Sequence, residues 1–549
     1  MKPEDGMDRK WWTLVAVCVG IFMLLLDLTI VNVALPDIAR DFHATLPDLQ
    51  WVIDAYALTL AALLLTSGSL ADLLGRRKVF AVGIAAFTMG SLLCGTSTGP
   101  LFIILARAFQ GIGGAVMFAT SLALLAHAFR GRERGVAFGV YGAVTGIAVA
   151  VGPVLGGVIT SGISWRWIFF VNIPIGMGAL AITLLKVDES RNPEAGRTDW
   201  IGFLSFSGAL AALVYGLIES TTKGWGSLGV VVPLASFAAL LAAFVVVEQL
   251  QSRPMFDFGL LRIPTFTGGL VAAFGINSSV FALFTYLVLY LQDALGLSAV
   301  ATGVRFLLLT GATFLTAAVA GRLTSRVPIK WLIGPGFVVS GVGTLLMAGL
   351  APSSSWTHLI PGFVVAGVGI GLVNVPLAST AVGVVEPARA GMASGINSTL
   401  RQVGTATGIA LLGSLFSARV RATVVSSLAG TPLARSASRV ADQLTGGSAS
   451  LGSSGSSLAA PTGSPLQRLV GHAALAGFVH GLNEILWVAT IVAFTAGALS
   501  FVLIRQRDFS AAHRGVADEV LEAGGDLLPE PLQASAGAAF RGAAGTPSL

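Results

Sequence analysis

Three ionisable side chains stand inside stretches whose neighbours are almost wholly apolar. Asp27 follows Leu24, Leu25 and Leu26 in GIFMLLLDLTIVNVALP. A carboxylate deep in hydrocarbon costs on the order of 2.5 to 3.5 kcal/mol, so Asp27 is expected to face a bundle interior or a water-filled cavity. There it either exchanges a proton or engages a substrate, or it is a structural group hydrogen-bonded to the next helix. Asn32 and Pro36 follow on the same helix, one able to hydrogen-bond across helices and the other to kink or end the span. Asp54, in WVIDAYALTL, is a second acid near the outer part of the next apolar stretch, suited to proton exchange or to a solvated helix end. Arg107, in LARAFQGIGGAVM, cannot usefully deprotonate and needs a carboxylate, carbonyls or water. Gln110, Gly111 and Gly114 share its helix face at i+3, i+4 and i+7. A polar patch therefore adjoins a surface bare enough for another helix to approach closely, and Arg107 is read as controlling protonation of a nearby acid, with pure scaffolding as the alternative.

Two further patterns concern movement. GSLADLLGRRK places Gly68, Asp72, Gly75, Arg76, Arg77 and Lys78 at a turn between apolar stretches. Positive-inside anchoring accounts for the basic cluster, whereas the preceding Asp72 suggests an ion pair that breaks on opening. GVYGAVTGIAVAVGPVLGGVIT carries Gly142, Gly146, Gly152, Gly156 and Gly157 around Pro153. Its spacings 142–146 and 152–156 predict two small-xxx-small contacts, and Pro153 predicts a kink.

The elements that must hold these groups follow from composition. Of 549 residues, 54% are hydrophobic and 11% charged, against about 25% charged in soluble domains. At about 20 apolar residues per crossing, fourteen crossings use about 280 residues. The chain has enough for that number, and its mean hydropathy is +0.82. A soluble protein, a disordered chain and a β-barrel of alternating strands are excluded. Apolar segments fall near 11–33, 48–70, 79–98, 101–125, 136–158, 166–185, 199–218, 228–249, 266–290, 301–320, 331–350, 357–379, 392–416 and 484–504. With a cytoplasmic N-terminus, 22 of the 33 basic residues lie on the inside, as the positive-inside rule requires, and even parity returns both termini there. The charges thus set topology and do not mark a nucleic-acid interface. Cys18 and Cys94 sit inside apolar segments and provide neither a disulfide nor a metal framework, and no cofactor motif occurs.

An echo between GSLADLLGRRK and GRLTSRVPIK at 321–330 suggests two related halves. The expected organisation is a six-helix half over 1–197, two inserted helices over 198–250 and a second six-helix half over 251–507. A flexible outside loop is expected at 417–483, rich in Ser and Gly, and a disordered cytoplasmic tail at 508–549.

These motifs resemble the major facilitator superfamily, and within it the fourteen-span drug:proton antiporters of the QacA and EmrB type. LDLTIVNVALPDI around Asp27 is similar to that group's first-span signature, GSLADLLGRRK to the superfamily loop motif, LARAFQGIGGA to the span-four motif and GIAVAVGPVLGG to the antiporter motif of span five. WRWIFFVNIPIG and GMASGINSTLRQVGTATG also resemble stretches of the group. The resemblance runs from the first span to the last. The second-half loop departs from it, with Ser325 where the motif has Asp and Pro328 where it has Gly.

The resemblance implies an all-α integral membrane protein with fourteen transmembrane helices. It implies proton-driven efflux, by alternating access, of hydrophobic or amphipathic, often cationic, drugs or antibiotics across a bacterial plasma membrane. Asp27, Arg107 and Asp54 would couple protons, and Asp27, Asn32, Gln110, Phe281, Tyr286 and Arg401 would line the substrate cavity, with Phe284 and Tyr290 as further wall candidates. Gly68, Asp72, Gly75, Arg76 and Arg77 would form a gating loop, and Gly146, Gly152, Pro153, Gly156 and Gly157 the antiporter helix. No cofactor or metal is implied, and the chain is read as a monomer whose partners are a small molecule, protons and the bilayer. A dedicated exporter of one endogenous metabolite, an importer of the same fold and a membrane sensor or structural protein are the alternatives. No HExxH, nucleophile elbow or cluster of metal ligands suggests a membrane enzyme.

Overall fold

The computed structural model describes residues 8–129, 131–191, 199–251, 254, 256–324, 326–385, 390–446 and 465–509. These form helices and connecting turns, with no strand among the described residues. Fourteen long helices run in chain order: α1 (Arg9–Phe42), α2 (Leu46–Leu74), α3 (Arg76–Gly95), α4 (Pro100–Ala128), α5 (Gly131–Gly162), α6 (Trp167–Lys186, broken at Val171), α7 (Trp200–Lys223), α8 (Leu228–Leu250), α9 (Pro264–Ala294), α10 (Ala299–Leu323), α11 (Lys330–Met347), α12 (Ile360–Val382), α13 (Ala390–Leu428) and α14 (Pro465–Leu503). Thirteen helical stretches among the described residues are long and apolar enough to cross a membrane, and α2 is a fourteenth rod packed between α4 and α13.

The boundaries follow local chemistry. His43 in the left-handed region ends α1, and Thr45 and Asp48 close a capping box at the start of α2. Gly75, at φ 111°, separates α2 from α3 in a backbone conformation that a side chain disfavours. Pro100 occupies the first turn of α4, where its missing N–H leaves no partner wanting. Pro36 does not end α1, which continues to Phe42.

Packing partners recur along the chain. Within α1–α6, α1 packs on α5 and α6, α2 on α4, and α3 on α4 and α6; among α9–α14, α9 packs on α13 and α14, α10 on α12, and α11 on α12 and α14. The two sets meet through α2 against α13 and α5 against α10, pairings that correspond under the same repeat. The pair α7 and α8 pack on each other, and α7 leans on α2 and α13.

Much of the seam between the sets is closed at the end where α1 finishes. There Thr285 donates to Asn32 Oδ1 at 3.0 Å, Gln292 to the Val33 carbonyl at 2.9 Å and Gln50 to the Tyr286 hydroxyl at 3.1 Å. A single apolar cluster from α1, α2, α9, α13 and α14 fills in behind them.

Two regions differ from the sequence expectation. Residues 417–428 continue α13, Ala437–Gly446 form another helix and α14 begins at Pro465, so the described ends of the 417–483 segment are helical. Val420, Val424 and Leu428 are buried there against Phe478 and Leu475 of α14. Small, polar composition hid a sparse apolar stripe that pairs these extensions. Asp508 accepts from the Thr265 hydroxyl at 2.6 Å and its N–H at 3.1 Å, tying the start of the expected tail to the first turn of α9. Residues 447–464 and 510–549 lie outside the described residues.

Candidate functional site

Asp27, Arg107 and Gln110 form one buried cluster, each no more than 1% exposed. Arg107 Nη1 donates to Asp27 Oδ2 and, at 2.7 Å, to Gln110 Oε1, while Gln110 Nε2 donates to Asp27 Oδ1 at 2.9 Å. Both carboxylate oxygens are thereby engaged. Arg107 Nε donates to the Val52 carbonyl at 3.1 Å, and its guanidinium lies 4.2 Å from the centre of the Tyr56 ring. Gln110 also donates to Ser91 Oγ at 2.8 Å, which accepts from Asn172 at 3.3 Å. Five helices, α1, α2, α3, α4 and α6, thus meet on one charge pair. A buried pair of this kind is stable only when its remaining donors and acceptors are satisfied, and here carbonyl, amide and ring supply that.

The glycines around Arg107 permit the meeting. A Cβ at Gly111 would lie 2.0 Å from Thr59 Oγ1 and 2.6 Å from the Tyr56 carbonyl, and one at Gly113 would lie 2.3 Å from the Phe87 amide nitrogen. Helix α4 therefore touches α2 and α3 backbone to backbone, which brings the guanidinium within reach of Val52.

Asp54, one turn along α2 from Gln50, is fully buried and neither carboxylate oxygen has a hydrogen-bond partner. It stands apart from the Asp27 cluster. Gln50 and Tyr286 beside it are bound to the Ile409 carbonyl at 3.2 and 2.7 Å.

Helix α5 is pressed between α1 and α10. A Cβ at Gly152 would lie 1.9 Å from Thr29 Oγ1, and one at Gly156 would lie 2.9 Å from the Ile30 carbonyl. On the other face a Cβ at Gly157 would lie 2.5 Å from the Ala299 carbonyl, while Gly303 of α10 abuts the Pro153 carbonyl. Gly142 meets nothing within 4 Å and Gly146 only the Phe314 ring at 3.4 Å, so the expected 142–146 contact is absent and the close packing is confined to 152–157. The reason is tertiary: only at that end do both neighbours approach α5 closely enough to need glycine.

The loop at Gly75 docks on the segment after α6. Arg76 N donates to the Ser190 carbonyl at 2.9 Å, Arg77 N to Glu189 Oε1 at 3.0 Å and Arg77 Nη1 to the Val187 carbonyl at 3.2 Å. Glu189 was missed from sequence, since an acid just beyond a span gives no signal until the fold brings it 112 residues back. Gly68 has open space above it. The side chain of Asp72 and the whole of Ser325 lie outside the described residues.

The cavity candidates divide. Gln110 and Tyr286 are fully buried, each committed to interhelical hydrogen bonds, and so do not line open space in this conformation; Tyr290 is buried too. Phe281 is partly exposed at the end of a ladder of near-parallel rings, 6.0 Å from Phe284, which lies 5.0 Å from Phe306, itself 5.3 Å from Phe363. Asn32 and Arg401 are partly exposed. No group of three metal-ligating side chains occurs among the described residues.

The sequence and the fold also match known proteins. The profile of the Major Facilitator Superfamily matches residues 17–409. The chain is 37% identical over 413 residues to the multidrug resistance protein Stp of Mycobacterium tuberculosis, covering 75% of this chain and 77% of that one. It is 38% identical to the puromycin resistance protein pur8 of Streptomyces alboniger, with coverages of 75% and 83%. It is 35% identical to the tetracenomycin C resistance and export protein of Streptomyces glaucescens, with coverages of 76% and 78%. Among solved structures, an inward-facing bacterial homologue of the human lysosomal transporter Spinster superposes with a TM-score of 0.58 at 16% identity, over 92% of this chain and 99% of that one. The chain belongs to the Major Facilitator Superfamily, as a multi-pass secondary transporter of its multidrug-resistance and efflux branch.

Proposed function

We propose that this protein is a proton-coupled exporter of hydrophobic or amphipathic drugs or antibiotics, working by alternating access with Asp27 as the proton-exchanging group. The observation that carries the reading is the position of Asp27 on α1. One face of the helix gives the carboxylate to Arg107 and Gln110 on α4. Two and three residues on, Thr29 and Ile30 sit against Gly152 and Gly156 of α5, whose opposite face bears on α10. Protonating Asp27 removes the anion from its pair with Arg107, and any rotation or shift of α1 that follows is passed through the α5 contact to the second set of helices. A close-packed seam transmits such a shift because it has no slack to absorb it.

In the same reading, residues 1–197 and 251–507 are the two rocking halves, 198–250 the inserted pair, and both termini are cytoplasmic in a bacterial plasma membrane. The seam closed by Gln50, Asn32 and Gln292 is then the outer gate, and the Arg77–Glu189 contact braces the inner loop. The protein acts as a monomer.

The deciding experiment is transport in proteoliposomes with an imposed pH gradient, screening a panel that includes puromycin and tetracenomycin C. Export driven by a gradient of one sign and reversed by the other supports antiport. Movement in the same direction as the protons supports an importer. Asp27→Asn is expected to insert normally and abolish the gradient dependence; unchanged coupling removes Asp27 from the mechanism.

A further inference from the structure

The two deep arginines are treated in opposite ways. Arg107 has a carboxylate, an amide oxygen, a carbonyl and an aromatic ring. Arg401 on α13 has one long contact, Nη2 to the Asn374 carbonyl at 3.5 Å, and among the described residues no carboxylate lies within ion-pair distance. A guanidinium carries five donors and keeps its charge, so at membrane depth it requires an anion or water.

The groups around it are also incomplete. Asn397, one turn before Arg401 and on its helix face, has a buried amide nitrogen without a protein partner, and the amide oxygen of Asn374 is likewise unpartnered. Thr405, one turn after Arg401, approaches Asn277 Oδ1 at 3.4 Å, which joins this stripe to α9. On α9, Asn277 faces α13 and Thr285 faces Asn32 of α1, and Phe281 lies between them in sequence. Phe281, the partly exposed end of the four-ring ladder, lies further along the bundle than Arg401, because α9 and α13 run parallel with Gly404 on Phe274 and Gly408 on Ser278. The turn containing Asn277–Phe281 is π-helical, a distortion that recurs at functional sites.

We propose that this face of the second half is a subsite for a compound bearing an anionic oxygen, a phenolate or carboxylate. The anion pairs with Arg401, and Asn397 donates to the same oxygen. The inference deepens the export reading and rests on it for its biological meaning, and it assigns a substrate class opposite in charge to a lipophilic cation. Asp27 does not compete for that role in this conformation, because both its oxygens are taken.

The test is equilibrium binding to the full chain in nanodiscs, with empty nanodiscs subtracted, using three probes of one shape: 2-naphthoate, neutral 2-naphthamide and the cation 2-naphthylmethyl-trimethylammonium. The expected order is naphthoate at least tenfold tighter than the amide, with the cation weakest. Arg401→Gln should erase the naphthoate preference, and Arg401→Lys should restore part of it. Equal binding of naphthoate and naphthamide, tighter binding of the cation, or an unchanged ratio in a folded Arg401→Gln variant overturns the proposal. The arms separate from those of the export reading: Asp27→Asn should retain naphthoate binding while losing proton-driven transport. Naphthoate binding with no transport of any compound would sink the exporter and leave the subsite standing.

Discussion

The cluster at Asp27 allows a quantitative double-variant experiment. Asp27→Asn removes the anion and leaves a guanidinium held by the Val52 carbonyl, Gln110 Oε1 and the Tyr56 ring. Arg107→Met leaves a carboxylate with one amide donor, Gln110 Nε2 at 2.9 Å. Breaking a buried pair from one side typically costs about 3 to 5 kcal/mol. Asp27→Asn should fall near the lower figure because three other contacts stay with the arginine, and Arg107→Met near the upper. The double variant buries no charge, and neutral replacements of buried pairs are often close to neutral in stability. It should therefore be no less stable than the milder single variant, giving a coupling energy of at least about 5 kcal/mol, the whole cost of the harsher single variant. Reversible unfolding of the purified protein in mixed micelles, titrated with denaturing detergent, measures all four corners of the cycle. Proton-driven transport, assayed in parallel, should be absent from every variant lacking Asp27. Single-variant costs that add within about 0.5 kcal/mol would show that the two charges do not stabilise one another. Gradient-driven transport in the double variant would show that Asp27 does not carry the proton.

Along α5 the same substitution should have opposite signs. Gly152→Ala places a methyl 1.9 Å from Thr29 Oγ1 and should destabilise by about 1 to 3 kcal/mol, whereas Gly142→Ala meets nothing within 4 Å and should stabilise by about 0.5 to 1 kcal/mol through helix propensity; the same unfolding titration reads both. Tyr286→Phe removes the bond to the Ile409 carbonyl at 2.7 Å and the acceptor of Gln50 at 3.1 Å, about 1 kcal/mol each, and should raise the rate at which an impermeant maleimide labels a cysteine placed at Thr285; an unchanged rate would mean that this seam does not hold the gate. Gly75→Ala combines a φ of 111° with a Cβ 2.7 Å from Glu189 Oε1, and should loosen the loop, seen as faster amide exchange at Arg76 and Arg77. Protection equal to that of the parent chain would contradict the brace.

Much of this molecule is legible in one dimension because the bilayer imposes a rule on sequence. Hydrocarbon offers no hydrogen bonds to an open backbone, so spans must be helices and must be apolar. Composition and spacing therefore locate fourteen rods, their turn signals and the residues at which the apolar rule is violated. Asp27, Arg107 and Gln110 are conspicuous for that reason, as are the glycines of α5. The helical extensions at 417–428 and from 465 were not, since their apolar stripe is thin and its partners are distant in sequence.

The sequence by itself determined which groups are too costly to leave unattended in a membrane. The tertiary structure decided how each is answered: Asp27 and Arg107 by one another, Tyr286 by a carbonyl on α13, Arg77 by Glu189, and Arg401 by no acid of the described chain. Partners lying 80 to 123 residues apart have no spacing rule to announce them. They are selected by which helix faces come within about 3 Å, and that depends on where small residues let the rods close.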